Sequence, residues 1–237
     1  MDVERTPDIS LVIPAWNEEA YLPRLLDSVD CARARYAGGA EAVEVIVADN
    51  ASTDRTAAIA RERGCRVAPV EKRCIAAARN AGAAIARGEI LAFADADFRI
   101  HPETFNAIRA FLARPGFIGG GTSLVMERSS PGIRLTLLMV LPMLSAMGIE
   151  GGVWFCRRAD FETLGGYDER VRIGEDVRFM RALKRLGRTR RPRERLATRR
   201  AARRLGITPA PRSTPRASST STGISTCSPT WRACSSA

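Results

Sequence analysis

The sequence has few of the residues from which structural zinc sites are built. It contains one histidine, His101, and its six cysteines are scattered, with no C-x-x-C pair among them. A structural zinc site is therefore not expected, because such sites need cysteine and histidine at short spacings. Residues 1–5 are charged and carry no apolar segment of the kind that directs secretion, which predicts a cytoplasmic protein.

Net charge is also missing from most of the chain. The formal charge is +11 over 237 residues, but residues 188–237 contain twelve arginines and one glutamate and account for all of it. Residues 1–187 therefore carry no net charge. This neutral body argues against a nucleic-acid partner, because such a protein needs basic charge clustered on its fold.

The character of the sequence changes at residue 188. Beyond it Arg, Ala, Ser, Thr and Pro follow one another without aliphatic periodicity. Such a stretch buries too little apolar surface to offset its chain entropy. We therefore expect a folded domain over 1–187 and a basic, disordered tail over 188–237. A shift of the reading frame near Gly187 would produce the same loss of pattern and stays open as its origin.

Alternating strand and helix patterns predict an α/β fold. Apolar runs predict strands over residues 8–14, 43–48, 66–70 and 90–94. Helical patterns separate them, and this order predicts a mostly parallel sheet with helices on both faces. The strand ends at Pro14, Asp49 and Asp95 should then share one edge of the sheet, which is where open α/β sheets bind ligands.

The central strand of this pattern ends in two carboxylates, Asp95-Ala-Asp97. The small residue between them lets both side chains reach one site. Mg²⁺ and Mn²⁺ prefer oxygen ligands and usually share their remaining positions with substrate phosphates. The pattern therefore predicts a metal–diphosphate site, although a solvated acidic turn is the simpler reading of so short a motif.

One long apolar run stands apart from the strands. Residues 133–149 contain a single charge, Arg134, and include Pro142. The run is short for a membrane span, so we expect a core helix. The alternative is an interfacial helix that gives peripheral membrane contact and access to a lipid-borne substrate.

Six motifs, in order along residues 8–187, resemble those of the family-2 glycosyltransferases, which have the GT-A fold. They are Val12-Ile-Pro-Ala-Trp-Asn-Glu-Glu19, Val47-Ala-Asp-Asn-Ala-Ser-Thr-Asp54, Ala77-Ala-Arg-Asn-Ala-Gly82 with Ala86-Arg-Gly-Glu89, Asp95-Ala-Asp97, Arg158-Ala-Asp-Phe-Glu-Thr-Leu-Gly-Gly-Tyr-Asp168 and Gly174-Glu-Asp176. The resemblance implies a Rossmann-like, mostly parallel central sheet. It also implies inverting, metal-dependent transfer of a sugar from a UDP- or GDP-linked donor to the hydroxyl of a saccharide or lipid-linked acceptor. An interfacial helix over 133–149 would place this reaction at the inner face of the membrane.

On the donor side, the resemblance implies that Asp49 hydrogen-bonds the base, and that the backbone at Ala15 and the side chain of Glu18 reach the base and ribose. It also implies that Arg79 contacts the donor. From the residues alone, simpler roles stay open. Asp49 can cap a helix, Glu18 can be a helix first-turn charge, and Arg79 can lie on a helix surface.

For the metal, the resemblance implies that Asp97 ligates Mg²⁺ or Mn²⁺ directly. Asp95 would hold the ribose, or the metal through water. The cation then stabilises the charge that develops on the diphosphate leaving group.

On the acceptor side, the resemblance implies that Asp176 is the general base and that Glu175 lines the substrate site. An acidic first turn of a helix is the simpler reading of this pair. Trp154 and Tyr167 flank the same region, and we expect core positions for both rather than sugar-stacking roles. The family continues beyond this helix, whereas the present chain enters its basic tail. A non-catalytic remnant that at most binds nucleotide-sugar is therefore the alternative function.

Overall fold

The computed structural model describes residues 6–126, 152–171, 173–189 and 197–200. The strands are β1 (Ile9–Ala15), β2 (Val43–Asp49), β3 (Arg66–Pro69), β4 (Ile90–Phe93), β5 (Phe98–Arg99), β6 (Phe117–Gly121), β7 (Ser123–Met126), β8 (Trp154–Arg157), β9 (Arg188–Thr189) and β10 (Ala197–Arg200). The helices are α1 (Leu22–Ala34), α2 (Thr56–Glu62), α3 (Ile75–Ile85), α4 (Thr104–Leu112), α5 (Arg158–Thr163) and α6 (Glu175–Leu186), with a 3₁₀ turn at Ala40–Ala42.

The main sheet has seven strands in the order β3-β2-β1-β4-β8-β6-β9. Strands β3, β2, β1 and β4 are parallel to one another, β8 is antiparallel to both β4 and β6, and β9 is parallel to β6. A second sheet has three strands in the order β5-β10-β7. The predicted α/β fold with a mostly parallel central sheet is confirmed.

Helices cover both faces of the main sheet, which explains why its central strands are mostly apolar. All seven residues of β1 are buried. Ile9, Leu11 and Ile13 pack into one core with α1 and α4, whereas Val12 packs into a second core with α3 and α6. This alternation is the two-residue period of a strand that is buried on both sides.

Gly82 brings α3 unusually close to the sheet. A Cβ atom at this position would lie 2.4 Å from Val12 Cγ1, which is too close for two carbon atoms that are not bonded. Alanines fill most of the remaining buried face of this helix. The same helix carries Arg79, which lies about one turn closer to the helix N-terminus than Gly82. The close approach therefore also fixes where Arg79 lies relative to the sheet.

The region beyond residue 187 differs in part from expectation. Instead of a disordered tail from Arg188 onward, β9 pairs with the edge of the main sheet and β10 pairs with β5 and β7. Strand pairing uses backbone groups, so a stretch rich in Arg and Thr can join a sheet that offers an open edge. The rest of 188–237 lies outside the described residues, and the division of the chain into two domains stays a prediction.

The apolar run 133–149 also lies outside the described residues, so its core-helix and interfacial-helix interpretations stay predictions. Within the part of the chain that is described, no helix has both the length and the apolar character needed to cross a bilayer. Strands β6 and β7 are separated by one residue, Thr122.

Candidate active site

The parallel strands end side by side at one edge of the main sheet, which we call the carboxyl edge. Ala15 and Asp49 are direct register partners at the ends of β1 and β2. On the other side of β1, Val12 is paired with Phe93, the last residue of β4, so the chain leaves the sheet toward Asp95 at the same edge. The strand ends that the sequence predicted at Pro14, Asp49 and Asp95 therefore do lie at one edge, with β1 extending one residue further, to Ala15.

Two loops at this edge hold each other in place. Asn17 and Ala51 have positive φ angles of 53° and 57°, which non-glycine residues adopt at a cost in free energy. Hydrogen bonds between the loops stabilise these conformations. The amide N–H of Asn17 donates to Ser52 Oγ at 3.0 Å, and the N–H of Thr53 donates to Asn17 Oδ1 at 2.8 Å. The loops after β1 and β2 thus form one structural unit.

Asp49 and Glu18 lie where this unit meets the sheet. Asp49 is half-buried, and its Oδ1 accepts the N–H of Ser52 at 3.2 Å. It caps the loop rather than α2, whose first residue, Thr56, donates its N–H to Asp54 Oδ1 at 2.9 Å. Glu18 is buried, and its N–H donates to Thr56 Oγ1 at 2.8 Å. Because α1 begins only at Leu22, Glu18 is not a helix first-turn charge.

The two carboxylates after β4 differ in their exposure. Asp97 is only 2% exposed, whereas the side chain of Asp95 is 30% exposed. A buried carboxylate is unfavourable without compensation, so this arrangement does not fit a solvated acidic turn. Two oxygen-donor side chains at a strand end do fit a hard divalent cation, which takes one or two protein carboxylates and completes its coordination with phosphate or water.

Arg79 connects Asp95 to Glu175, the first residue of α6. Its Nη2 donates to Asp95 Oδ1 at 3.2 Å, and its Nη1 donates to Glu175 Oε1 at 2.7 Å. The residue is 3% exposed. Burial alone would lower the pKa of the guanidinium, but the neighbouring Tyr167, Asp95 and Glu175 raise that pKa above its usual value. Arg79 is therefore a buried cation between two carboxylates, not a surface side chain.

Tyr167 forms the floor beneath Arg79. The guanidinium carbon lies 5.2 Å from the centroid of the Tyr167 ring, a cation–π arrangement. The ring is itself packed against Phe93, Phe161 and Phe179, with centroid distances of 5.3, 5.9 and 4.6 Å. Tyr167 and Trp154 are both buried, as expected for core residues.

Asn80, which the sequence reasoning did not single out, fixes the backbone of Tyr167. Its Oδ1 accepts the N–H of Tyr167 at 2.8 Å, and its Nδ2 donates to the carbonyl oxygen of Tyr167 at 2.9 Å and to Glu169 Oε1 at 3.1 Å. Its place directly after Arg79 in the third motif was the available signal. Helix α3 thus contacts the loop over 164–171 through two consecutive side chains.

Glu175 and Asp176 begin α6, directly after Gly174, whose φ is 78°. Glu175 is buried and bound by Arg79, whereas Asp176 is half-buried. Asp176 Oδ1 accepts the N–H of Val177 at 2.9 Å. The two carboxylates of this motif therefore have different environments, and only Glu175 is paired with a buried cation.

Trp16 is a second residue that the sequence reasoning did not place in the site. It follows β1 at the carboxyl edge and is 51% exposed, with the guanidinium carbon of Arg73 lying 5.5 Å from its ring centroid. A half-exposed tryptophan at a strand end is unusual because its burial would be favourable. Its position directly after the Pro-Ala that ends β1 was the available signal.

Two cavities lie away from the carboxyl edge. One of about 620 Å³ is at the opposite edge of the sheet, where it is lined by Asp8, Ile90, Arg157 and neighbouring residues. Another of about 520 Å³ is lined by the loop 164–170 together with Arg178, Phe179 and Ala182 of α6. Neither contains the carboxylates of Asp95 or Asp97 in its lining.

Comparison with known proteins identifies a family. The family model described as "Glycosyl transferase family 2" matches residues 10–164, which is more than half of the chain. The succinoglycan biosynthesis protein ExoO of Rhizobium meliloti is 28% identical over 199 residues, covering 73% of this chain and 55% of that protein. The matched stretches cover between 15% and 55% of the curated relatives' own length.

Solved structures share the fold. The mannosyltransferase PcManGT from Pyrobaculum calidifontis, in complex with GDP-Man and Mn²⁺, superposes with a TM-score of 0.65 at 23% identity, covering 85% of this chain and 59% of that one. S. aureus TarS 1–349, in complex with UDP-GlcNAc, gives a TM-score of 0.62 at 21% identity, covering 83% and 59%. At these identities the likeness establishes the fold alone.

Proposed function

Because the chain belongs to glycosyl transferase family 2, we propose that it transfers a sugar from a UDP- or GDP-linked donor to an acceptor hydroxyl. The observation that carries the proposal is the set of carboxylates at the carboxyl edge. Asp49 ends β2, while Asp95 and the buried Asp97 follow β4, and all three lie where parallel sheets bind ligands. A nucleotide-sugar needs one group for the base and others for a metal-bound diphosphate, and this edge supplies both.

On the donor side, Asp49 hydrogen-bonds the base, while Ala15 and Glu18 contact the base and ribose through backbone and side chain. The loops that carry these residues are hydrogen-bonded to each other, so the base would meet a preformed surface. The fold neighbours bind GDP-Man in one case and UDP-GlcNAc in the other. Those complexes support a nucleotide-sugar donor without selecting between the two nucleotides.

Asp97 would hold Mg²⁺ or Mn²⁺ directly. Asp95 would hold the ribose, or the metal through water. When bound, the cation supplies a Lewis acid that stabilises negative charge on the departing diphosphate. Mn²⁺ is present in the PcManGT complex, which supports use of a divalent metal by this fold.

On the acceptor side, Asp176 acts as the general base. It accepts the proton of the acceptor hydroxyl as that oxygen forms a bond to the anomeric carbon and the bond from that carbon to the diphosphate oxygen breaks. A direct displacement of this kind inverts the anomeric configuration. The half-buried position of Asp176 at the start of α6 leaves its carboxylate within reach of an acceptor, and Glu175 completes the acidic wall beside it.

The acceptor is a saccharide or a lipid-linked saccharide. Similarity to ExoO, a succinoglycan biosynthesis protein, supports an acceptor in cell-envelope polysaccharide synthesis. We place the reaction in the cytoplasm, at the inner face of the membrane if the run 133–149 makes peripheral contact with lipid.

A second candidate is nucleotide-sugar binding without transfer. It is favoured by one fact: the chain spans about half the length of ExoO, while the donor edge lies within the matched region. The two candidates share a donor site and differ in turnover.

Calorimetric titration of the full chain with UDP, GDP and their common sugars, with and without Mn²⁺, tests both candidates. Asp97→Ala should abolish the metal-dependent part of binding. Glu162→Ala removes an exposed carboxylate at the opposite edge and should change nothing. Metal-dependent binding with donor hydrolysis supports transfer, and binding without hydrolysis or transfer supports the second candidate. A folded chain that binds no nucleotide would refute both.

A further inference from the structure

The family resemblance implies a donor contact for Arg79, and in the structure the side chain is bound to groups of the protein itself. Each of its terminal nitrogens donates to a carboxylate of the protein, Nη2 to Asp95 at 3.2 Å and Nη1 to Glu175 at 2.7 Å. The ring of Tyr167 lies against the guanidinium, and the side chain is 4% exposed. The guanidinium of Arg79 is therefore paired with side chains of the protein, and little of its surface is accessible to a ligand.

The two carboxylates that Arg79 joins belong to opposite halves of the site. Asp95 follows β4 and would lie beside the diphosphate and metal. Glu175 starts α6 and is the neighbour of Asp176, the proposed base. In sequence, Arg79 and Glu175 are 96 residues apart. A single buried cation thus fixes the distance between the donor carboxylates and the first turn of α6.

We propose that Arg79 is a positioning residue that couples the donor half of the site to the acceptor half through Asp95 and Glu175. The inference rests on the proposed function, because it assigns Asp95 to the donor and Asp176 to the acceptor. Arg79 acts through these carboxylates and makes no bond to the donor. The neighbouring Asn80 supports the arrangement by fixing the backbone of Tyr167, the ring on which the guanidinium rests.

This geometry has a consequence for metal affinity. A divalent cation bound near Asp95 would have the same sign of charge as the guanidinium of Arg79. Both are attracted by the carboxylate of Asp95, and they repel each other. Removing the guanidinium makes the local potential more negative, so the cation should bind more tightly. The same change releases Glu175 from its partner and should disturb the start of α6. A donor contact predicts the reverse, since loss of a cation would weaken binding of the anionic donor.

The test uses the full chain and the variants Arg79→Met, Arg79→Lys and Glu175→Gln. Mn²⁺ affinity is measured by electron paramagnetic resonance without nucleotide, and hydrolysis of the donor is measured as kcat and KM. The matched control is Arg61→Met, which removes an exposed arginine of α2 and should leave every quantity unchanged. Melting curves establish that each variant is folded.

For Arg79→Met we expect Mn²⁺ affinity to rise about threefold or more, because a nearby positive charge is lost. We expect kcat to fall about tenfold or more while KM for the donor stays within about threefold, because only the geometry between donor and base is disturbed. Arg79→Lys keeps the charge but cannot bridge two carboxylates, so its Mn²⁺ affinity should match that of the native protein while kcat falls. Glu175→Gln should lower kcat in the same way.

Other outcomes would overturn the coupling role. A rise in KM of tenfold or more with unchanged kcat in Arg79→Met would make Arg79 a donor contact. Unchanged or weaker Mn²⁺ binding in that variant, or native kcat in Arg79→Lys and Glu175→Gln, would also refute it. If Arg79→Met does not fold, the other two variants decide. Failure of the native chain to bind Mn²⁺, UDP or GDP would instead refute the proposed function, so the two failures are distinguishable.

Discussion

The side-chain amide of Asn80 satisfies both backbone polar groups of Tyr167, a residue 87 positions later in the chain. A planar amide that both accepts and donates reproduces the hydrogen-bond pattern of a neighbouring strand. The loop 164–171 is therefore attached to α3 through the backbone of Tyr167. Two consecutive residues of α3 therefore contact Tyr167. Arg79 contacts its ring, and Asn80 binds its backbone.

Asn80→Asp should destabilise the protein, because an ionised carboxylate cannot donate and would face the carbonyl of Tyr167 and the carboxylate of Glu169. We expect a loss of about 2 kcal/mol in the free energy of unfolding, measured with urea. The control is Asn106→Asp. Asn106 Nδ2 also donates to a carbonyl, that of Arg35, and to a carboxylate, that of Glu103, but in a more exposed setting. Equal losses in the two variants would contradict the role assigned to Asn80.

Gly166→Ala and Gly165→Ala form a matched pair. Both glycines have left-handed φ angles, 76° and 72°, so both substitutions carry the same backbone penalty of about 1 kcal/mol. Only at Gly166 would the new Cβ collide with a neighbour, at 2.7 Å from Asn80 Oδ1, whereas the space around Gly165 is open. Gly166→Ala should therefore lower the melting temperature more. The contact with Asn80 would be disproved by identical melting temperatures.

Gly82→Ala should force α3 away from β1, because its Cβ would lie 2.4 Å from Val12 Cγ1. Overpacking of this kind typically lowers the free energy of unfolding by about 1–3 kcal/mol. The second variant, Gly82→Ala with Val12→Ala, makes room for the added methyl group. Its loss should be smaller than the sum of the two single losses, as measured by a double-mutant cycle with urea. Strict additivity would show that the two positions do not touch.

Glu44 predicts a pH dependence of stability. Burial tends to raise the pKa of its carboxyl, but hydrogen bonds from Ser10, the Arg87 N–H and Arg66 lower it below the ordinary value of 4.5. Because the folded-state pKa is depressed, Glu44 stabilises the protein above pH 4.5, and this contribution is lost as the pH falls through the folded-state pKa. The free energy of unfolding is measured with urea at pH 7 and at pH 4. The difference between these two free energies should be smaller for Glu44→Gln than for the native chain.

The control for that experiment is Glu62→Gln. Glu62 pairs with Arg55 on the surface, where both side chains are mostly exposed, and such pairs contribute little to stability. Its pH dependence should match that of the native chain. If Glu44→Gln also matches the native chain at both pH values, the carboxyl of Glu44 does not contribute as described.

Local patterns were sufficient to predict the carboxyl edge. Mostly apolar runs predicted β1, β2 and β4, and the alternation with helices predicted that they are parallel, so their ends at Pro14, Asp49 and Asp95 were expected to share one edge. The hydrophobic periodicity of a strand or a helix depends on neighbouring residues only, so it can be read directly from the sequence. The burial of Asp97 was not predictable, since a D-x-D pattern reads the same in a solvated turn.

The contacts of Arg79 could not be read from sequence because α3 is rich in alanine, which gives a helix no marked polar face. The partner that matters most is 96 residues away, and no periodicity within α3 points to it. Strands β9 and β10 were missed for a different reason. They are held by backbone pairing at an available strand edge, and their arginines and threonines carry no apolar signal.

The order of the strands along the chain also sets an order of events during synthesis. Strands β3, β2, β1 and β4 are complete once residue 93 has emerged from the ribosome, and α3 is complete before that. Helix α6 follows about eighty residues later. At synthesis rates of about 5–20 residues per second, the interval lasts seconds, far longer than a small sheet needs to collapse. In the nascent chain, Arg79 can therefore pair with Asp95 before Glu175 has been synthesised. The packing of α6 against the guanidinium of Arg79 is then a late step in folding.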